Sequence, residues 1–180
     1  MLIGLAGAAG AGKGSVAHFL VHRHGFAEIA FADPLYAAVE AITGISQTKL
    51  KDRRHKEAAI DWIGKSPREL LQLLGTEFGR KMVKESIWVD RAMRRVIPFT
   101  VITDVRFDNE AEAIKVRGGV IWEVVRPGQA CLVGGAASHE SEDGIMRDLV
   151  DLTLFNEGTL DDLAASVDAA MREATRLYNT

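Results

Sequence analysis

Short apolar runs alternate along this chain with longer stretches in which apolar residues recur every three to four positions. Runs of the first kind, bounded by turn-forming residues, read as strands buried on both faces; the second rhythm belongs to helices that cover them. The pattern predicts strands at 2–6, 28–31, 100–103, 120–125 and 152–155, and helices at 13–23, 34–43, 67–84, 88–96, 109–116 and 160–177. Strands alternating with helices give an α/β fold with a parallel sheet and crossover helices. Local chemistry agrees at several boundaries. Ser66-Pro67-Arg68-Glu69 combines a capping serine, proline at the first helical position and glutamate three residues on. Thr159 and Asp162 make a weaker version, and Gly118-Gly119 stops the helix before the fourth strand.

Two segments fall outside the alternation. Residues 33–98 insert mainly helical material between the second and third strands. Residues 127–146 (PGQACLVGGAASHESEDGIM) are rich in glycine and alanine with little periodicity. A connection of that length is uncommon in a compact domain unless it is functional, so a mobile lid is expected there, with a plain surface loop as the alternative.

Composition narrows the class. A chain of 180 residues suits one compact domain, 1–180, and its 47% hydrophobic and 26% charged residues are those of a globular protein. A net charge of −3 gives no global attraction to nucleic acid or to an anionic membrane. The basic stretch 49–56 (KLKDRRHK) is a local exception, either a solvated segment or a binding patch. The single cysteine, Cys131, cannot close an intramolecular disulfide, which fits a reducing, cytoplasmic compartment. The apolar start is broken by glycines and Lys13, so neither a signal peptide nor a membrane span is expected.

The chemistry begins after the first strand. Gly7-Ala-Ala-Gly10-Ala11-Gly12-Lys13-Gly14-Ser15 joins that strand to a helix. Glycines let the backbone approach a polyphosphate and aim N–H groups at it, and the helix start adds its own amides and dipole. Lys13 supplies a mobile positive charge. The hydroxyl of a Walker A loop is displaced by one residue, with Gly14 in its place and Ser15 following. That offset form looks like the loop of nucleoside monophosphate kinases. A dinucleotide-binding turn is disfavoured by the glycine spacing and the lysine.

Phosphoryl transfer asks for positioning and for positive charge around the moving group. Acids and arginines do appear where ligands of open α/β sheets bind, after strand ends. Asp33 follows the second strand and precedes Pro34, as a helix cap, a site residue or both. Asp104 follows the third strand, where it could hold magnesium with help from Ser15, and Arg106 beside it could neutralise a phosphate. A surface Asp–Arg pair is the plainer reading. On the helix after Ser66, Arg68, Gln72, Thr76 and Arg80 recur every four residues, opposite Leu70, Leu71, Leu74 and Phe78. This stripe faces either water or a nucleotide monophosphate, with arginines for its phosphate and Gln72 for its base edge. Gly75 and Gly79 beside it would permit close backbone approach. Trp88 stacks on a base or fills core. Asn156, after the last strand, could pass near the adenine of ATP or serve only the turn. His139 carries no assigned role.

Several segments together resemble the phage-type deoxynucleoside monophosphate kinases: the Gly10–Ser15 loop, FADPLY at 31–36, SPRELLQLLGTEFGR at 66–80 and ITDVRFDNEAEAI at 102–114. RPG at 126–128, HESE at 139–142 and the tail at 156–163 also fit. The resemblance spans almost the whole chain. It implies a three-layer P-loop kinase fold with a five-stranded parallel core, helices on both faces, a helical acceptor-binding insertion at 33–98 and a lid at 127–146. It implies phosphorylation of deoxynucleoside monophosphates to diphosphates with ATP and Mg2+, in deoxynucleotide biosynthesis, in the cytoplasm of a host if the chain is phage-encoded. By motif, Gly10, Ala11, Gly12, Lys13, Gly14 and Ser15 hold ATP phosphates, with Asn156 on the ATP side. Asp33, Arg68, Gln72, Arg80, Trp88, Arg106 and Arg126 are the acceptor-side candidates. Lys13, Asp33, Asp104 and Arg106 are the catalytic candidates, and Ser15 and Asp104 the metal ligands. Relatives commonly carry Asp-Thr after the loop lysine, and Gly14-Ser15 here leaves the magnesium arrangement open. The expected partners are ATP and a deoxynucleoside monophosphate, with no nucleic acid or membrane, and a homodimer is allowed. A dephospho-coenzyme A kinase and an ATP-dependent switch are the competing readings.

Overall fold

The computed structural model describes residues 1–128 and 145–178. The expected lid at 127–146, with Cys131, His139 and the HESE segment, lies almost wholly outside the described residues. The rest divides into two compact units, one made of Met1–Ile29 with Arg95–Thr180 and the other of Ala30–Arg94.

The first unit holds a sheet of five parallel strands, β1 (Leu2–Ala6), β2 (Ala27–Ile29), β3 (Thr100–Ile102), β4 (Val120–Val125) and β5 (Leu152–Phe155), in the order β2-β3-β1-β4-β5. All five residues of β1 are buried, as a central strand covered on both faces must be. On one face α1 (Lys13–His24) and α8 (Leu160–Tyr178) close over Ile3, Leu5, Trp122 and Val124 through Val16, Leu20, Leu163 and Val167. On the other lies α7 (Asp108–Val116). A Cβ on Gly4 would come within 2.7 Å of Ile114 Cδ1 and 2.8 Å of Ile121 Cδ1, so glycine sets how closely α7 approaches β1.

Sequence order explains where a ligand would sit. The chain leaves β1 toward β2 and leaves β3 toward β4, so neighbouring strands send their connections to opposite faces. That reversal opens a crevice beyond the carboxyl ends of β1 and β3. α1 ends on Gly25 at φ 73°, where Phe26 N donates to Leu20 O and Gly25 N to Val21 O. β2 stops at Ile29, two residues short of the sequence expectation. The Asp33 carboxylate accepts Ala30 N–H at 3.1 Å and draws that residue into a turn. No helix among the described residues is long and apolar enough to cross a membrane.

The second unit is helical: α2 (Asp33–Thr43), α3 (Gln47–Lys51), α4 (Arg53–Lys56), α5 (Pro67–Gln72), a π-helical segment Leu73–Val83, and α6 (Ile87–Met93). The Ser66 cap forms as expected, Glu69 N donating to Ser66 Oγ and Ser66 N to Glu69 Oε2. The single α-helix expected over 67–84 does not. From Leu73 the turns widen, and Lys84 N closes the segment by donating to Gly79 O. Trp88 supplies the cause. Its indole N–H donates to Gly75 O at 2.8 Å, and its ring lies where a Cβ on Gly79 would be, 2.3 Å from Cζ2. A side chain inserted into the ladder at two glycines favours wide turns.

The basic stretch 49–56 is also more ordered than a solvated run. Asp52 caps α4 by accepting Arg54 N–H at 2.9 Å. The ammonium groups of Lys51 and Lys56 lie 5.0 and 5.8 Å from the centroid of the Tyr36 ring.

Candidate functional site

The loop between β1 and α1 is shaped by three glycines at positive φ. Gly7, Gly10 and Gly12 have φ of 126°, 83° and 114°, in the half of conformational space that costs side chains dearly. At Gly7 a Cβ would also meet Val124 O at 2.2 Å, and at Gly12 it would meet Asn156 Nδ2 at 2.5 Å. Gly14 is different. A Cβ there meets nothing within 4 Å, so the residue that departs from the usual loop is not demanded by space.

Ala11 points its methyl into the core, and the helical ladder begins with Val16 N donating to Gly12 O. The amides of Lys13, Gly14 and Ser15 are thus first-turn amides, which have no acceptor within a helix. The first turn of α1 carries no acid, so the positive end of its dipole is not neutralised by its own side chains.

Lys13 lies within this loop. Its ammonium donates to Gly7 O at 2.5 Å and to Ala8 O at 3.0 Å. Its pKa is lowered to about 8, by burial first and by the nearby Arg106 charge second, with Asp104 opposing both. Two cations are thus held near one another with one carboxylate, an arrangement that favours an anion beside them. Asp104 and Arg106 reach this place because β3 ends at Ile102 and the chain stays beside β1, with Val105 N donating to Leu5 O at 3.1 Å. Glu110 fixes the next step. Its carboxylate, 4% exposed, accepts Arg106 N–H at 2.9 Å and Phe107 N–H at 3.2 Å. Glu110 thereby caps the start of α7, and the same bonds hold the backbone that carries Arg106.

Asn156 follows β5 and reaches back to the loop, its Nδ2 donating to Ala11 O at 2.9 Å. Arg126 follows β4 and is exposed. Residues 7–15, Asp104, Arg106, Arg126 and Asn156 therefore all follow the carboxyl ends of strands in the first unit.

The remaining candidates, Asp33, Arg68, Gln72, Arg80 and Trp88, belong to the second unit. Asp33 is in the first turn of α2 rather than its cap, which is Ala32. Arg68 is not on an acid-free surface: its Nε lies 2.8 Å from Glu57 Oε1, a partner eleven positions away that no local pattern signals. The widened turns also break the expected stripe. Thr76 is buried with Gly75 and Gly79, whereas Phe78 is exposed. The two glycines make room for Trp88, whose indole packs against them within its own unit.

No group of three or more His, Cys, Asp or Glu suited to a metal occurs among the described residues. Magnesium does not need such a cage, since it is commonly held by one or two protein oxygens together with substrate phosphates and water. Ser15 and Asp104 offer a hydroxyl and a carboxylate, oxygen donors of the right kind for it.

Comparison with known proteins gives a consistent picture. The deoxynucleotide monophosphate kinase family matches residues 46–167. A protein of Acanthamoeba polyphaga mimivirus, named for deoxynucleotide monophosphate kinase activity, is 30% identical over 195 aligned positions, covering 98% of this chain and 99% of its own. The deoxynucleoside-5′-monophosphate kinase of Escherichia phage T5 is 34% identical over 112 positions, 57% of this chain and 44% of the phage protein. Among solved structures, a dephospho-CoA kinase from Campylobacter jejuni superposes with a TM-score of 0.53 at 10% identity, over 97% of both chains, a likeness of fold.

Proposed function

The chain belongs to the deoxynucleotide monophosphate kinase family, and from that premise we propose that it transfers the γ-phosphoryl group of ATP to the 5′-phosphate of a deoxynucleoside monophosphate, yielding a deoxynucleoside diphosphate and ADP. One observation carries the assignment of the donor site: a glycine loop at the crevice whose lysine shares its surroundings with Arg106 and Asp104.

Each residue has a separate task. Loop amides from Gly10 to Ser15 and the Lys13 ammonium bind the outer phosphates of ATP and hold the γ-phosphoryl group in line. For Lys13 this means exchanging two carbonyl partners, Gly7 O and Ala8 O, for phosphate oxygens. Arg106 then neutralises charge spread over the transferring group's oxygens. Ser15 and Asp104 would hold Mg2+, which would supply positive charge to offset that of the donor phosphates. Gly14, lacking an acid, contributes only its backbone. Acceptor contacts fall to the second unit: Arg68 and Arg80 for the monophosphate, Gln72 for the base edge, and Asp33 for the deoxynucleotide. Arg68 brings Glu57 with it, so a bound phosphate competes with or displaces that carboxylate. Arg126 is a further phosphate contact.

The test is a coupled assay with ATP and each of the four common deoxynucleoside monophosphates, beside their ribose counterparts. The expected result is ADP and a diphosphate product from at least one deoxynucleotide. No diphosphate from any base, or a Lys13→Ala protein of undiminished activity, would overturn the reading.

A further inference from the structure

We propose that Asn156 is a positioning residue that sets the direction of the Gly12 amide in the phosphate loop; this rests on the reading of that loop as the ATP site. Its backbone is anchored first. Asn156 N donates to Val125 O at 2.7 Å, which extends the pairing of β4 and β5 one residue past Phe155. From that fixed point its side-chain amide donates to Ala11 O at 2.9 Å. The fit is tight on the neighbouring residue: a Cβ on Gly12 would stand 2.5 Å from Asn156 Nδ2 and 3.4 Å from its Cγ.

The consequence follows from the planarity of the peptide bond. Ala11 C=O and Gly12 N–H belong to one trans unit and point in opposite directions. Holding the carbonyl toward Asn156 therefore aims the Gly12 N–H away from it. The other handle on Ala11, its methyl, is held in the core at 1% exposure. Both ends of the unit before Gly12 are thereby fixed before any ligand arrives. A loop with three glycines at positive φ has many alternative conformations, and a carbonyl rotated inward would repel the anion that an amide attracts. Asn156 thus acts on ATP through Ala11 and Gly12 rather than through the adenine.

The test measures MgATP affinity of the full chain by titration calorimetry, which needs no acceptor. Asn156→Asp keeps the shape but, when ionised, has no hydrogen to donate and faces Ala11 O with a negative charge. Its affinity relative to wild type should fall about tenfold at pH 8, equivalent to about 1.4 kcal/mol. It should recover only as the pH falls toward about 4, the ordinary carboxyl range, where the protonated carboxyl can donate to Ala11 O. Asn156→Ala should lose a similar factor without the pH-dependent recovery. In turnover, KM for ATP should rise with KM for the deoxynucleotide unchanged. Equal MgATP affinities for the wild type and the variants would overturn the proposal, and so would a loss in Asn156→Asp that does not change with pH. Should that variant not fold, Asn156→Ala alone decides through the KM split. A wild-type protein that bound ATP but phosphorylated no deoxynucleotide would overturn the functional reading and leave this one standing.

Discussion

If Lys13 binds ATP as proposed, binding is coupled to a titration. Free, its ammonium has a pKa of about 8 against an ordinary 10.5, through burial first and the Arg106 charge second. A bound polyphosphate restores the charged form, so the pKa in the complex should return toward its ordinary value. Linkage then fixes the pH dependence. Below about pH 8 the lysine is charged in both states and affinity is flat. Above it, the free protein must first take up a proton, and the association constant falls. With a free pKa of about 8 and a bound one near 10.5, affinity drops about tenfold between pH 7 and pH 9, about 1.4 kcal/mol. Proton uptake on binding should be about half a proton at pH 8 and close to one at pH 9. Calorimetry with ATP in buffers of different ionisation enthalpy measures that uptake, and Lys13→Arg, which keeps its charge throughout this range, should abolish it. An affinity that stays flat from pH 7.5 to 9.5, or an uptake that survives in Lys13→Arg, would refute the reasoning. The same shift has a sign in stability. The unfolded chain binds more protons between about pH 8 and 10.5, so this group's contribution to stability improves as pH rises through that window.

Three further outcomes follow from the geometry. Trp88→Phe keeps most of the ring but loses the hydrogen bond to Gly75 O, and should lower stability by about 1 kcal/mol in urea denaturation, with altered far-ultraviolet dichroism as the 73–83 turns tighten. Gly14→Ala, placed where a Cβ meets nothing within 4 Å, should raise stability by about 0.5 kcal/mol through the helix preference for alanine, read as a higher denaturation midpoint. Glu110→Gln turns a charge-assisted acceptor of two amides into a neutral one and should cost about 1–2 kcal/mol, lowering kcat through Arg106 more than KM for ATP.

Legibility from sequence followed the range of the interactions. The bounds of β1, β4 and β5 are legible to the residue, because each is a mainly apolar run with sharp ends. The loop and the placing of Asp104 and Arg106 after β3 were equally readable, since motif and strand end are both local. The π-helical turns were not. Arg68 to Arg80 spaced by four reads as an α-helix, and the cause of the widening, Trp88, lies beyond the segment it reshapes. The Glu57 partner of Arg68 and the Asn156 bond to Ala11 O were likewise hidden. Each joins residues far apart in sequence, and for each the residue type already had an adequate local explanation.

The packing of Trp88 on Gly79 also constrains how this sequence can change. Alanine at 79 alone would drive a methyl into the indole ring, and a smaller residue at 88 alone would leave Gly75 O without its donor and a gap over Gly79. Each single step descends, yet Gly79→Ala with Trp88→Leu could restore an ordinary α-helix, so the two sites should show strong epistasis in a double-mutant cycle. The wide-turned segment thus depends on a pair of residues, and tightening it into an ordinary helix calls for change at both.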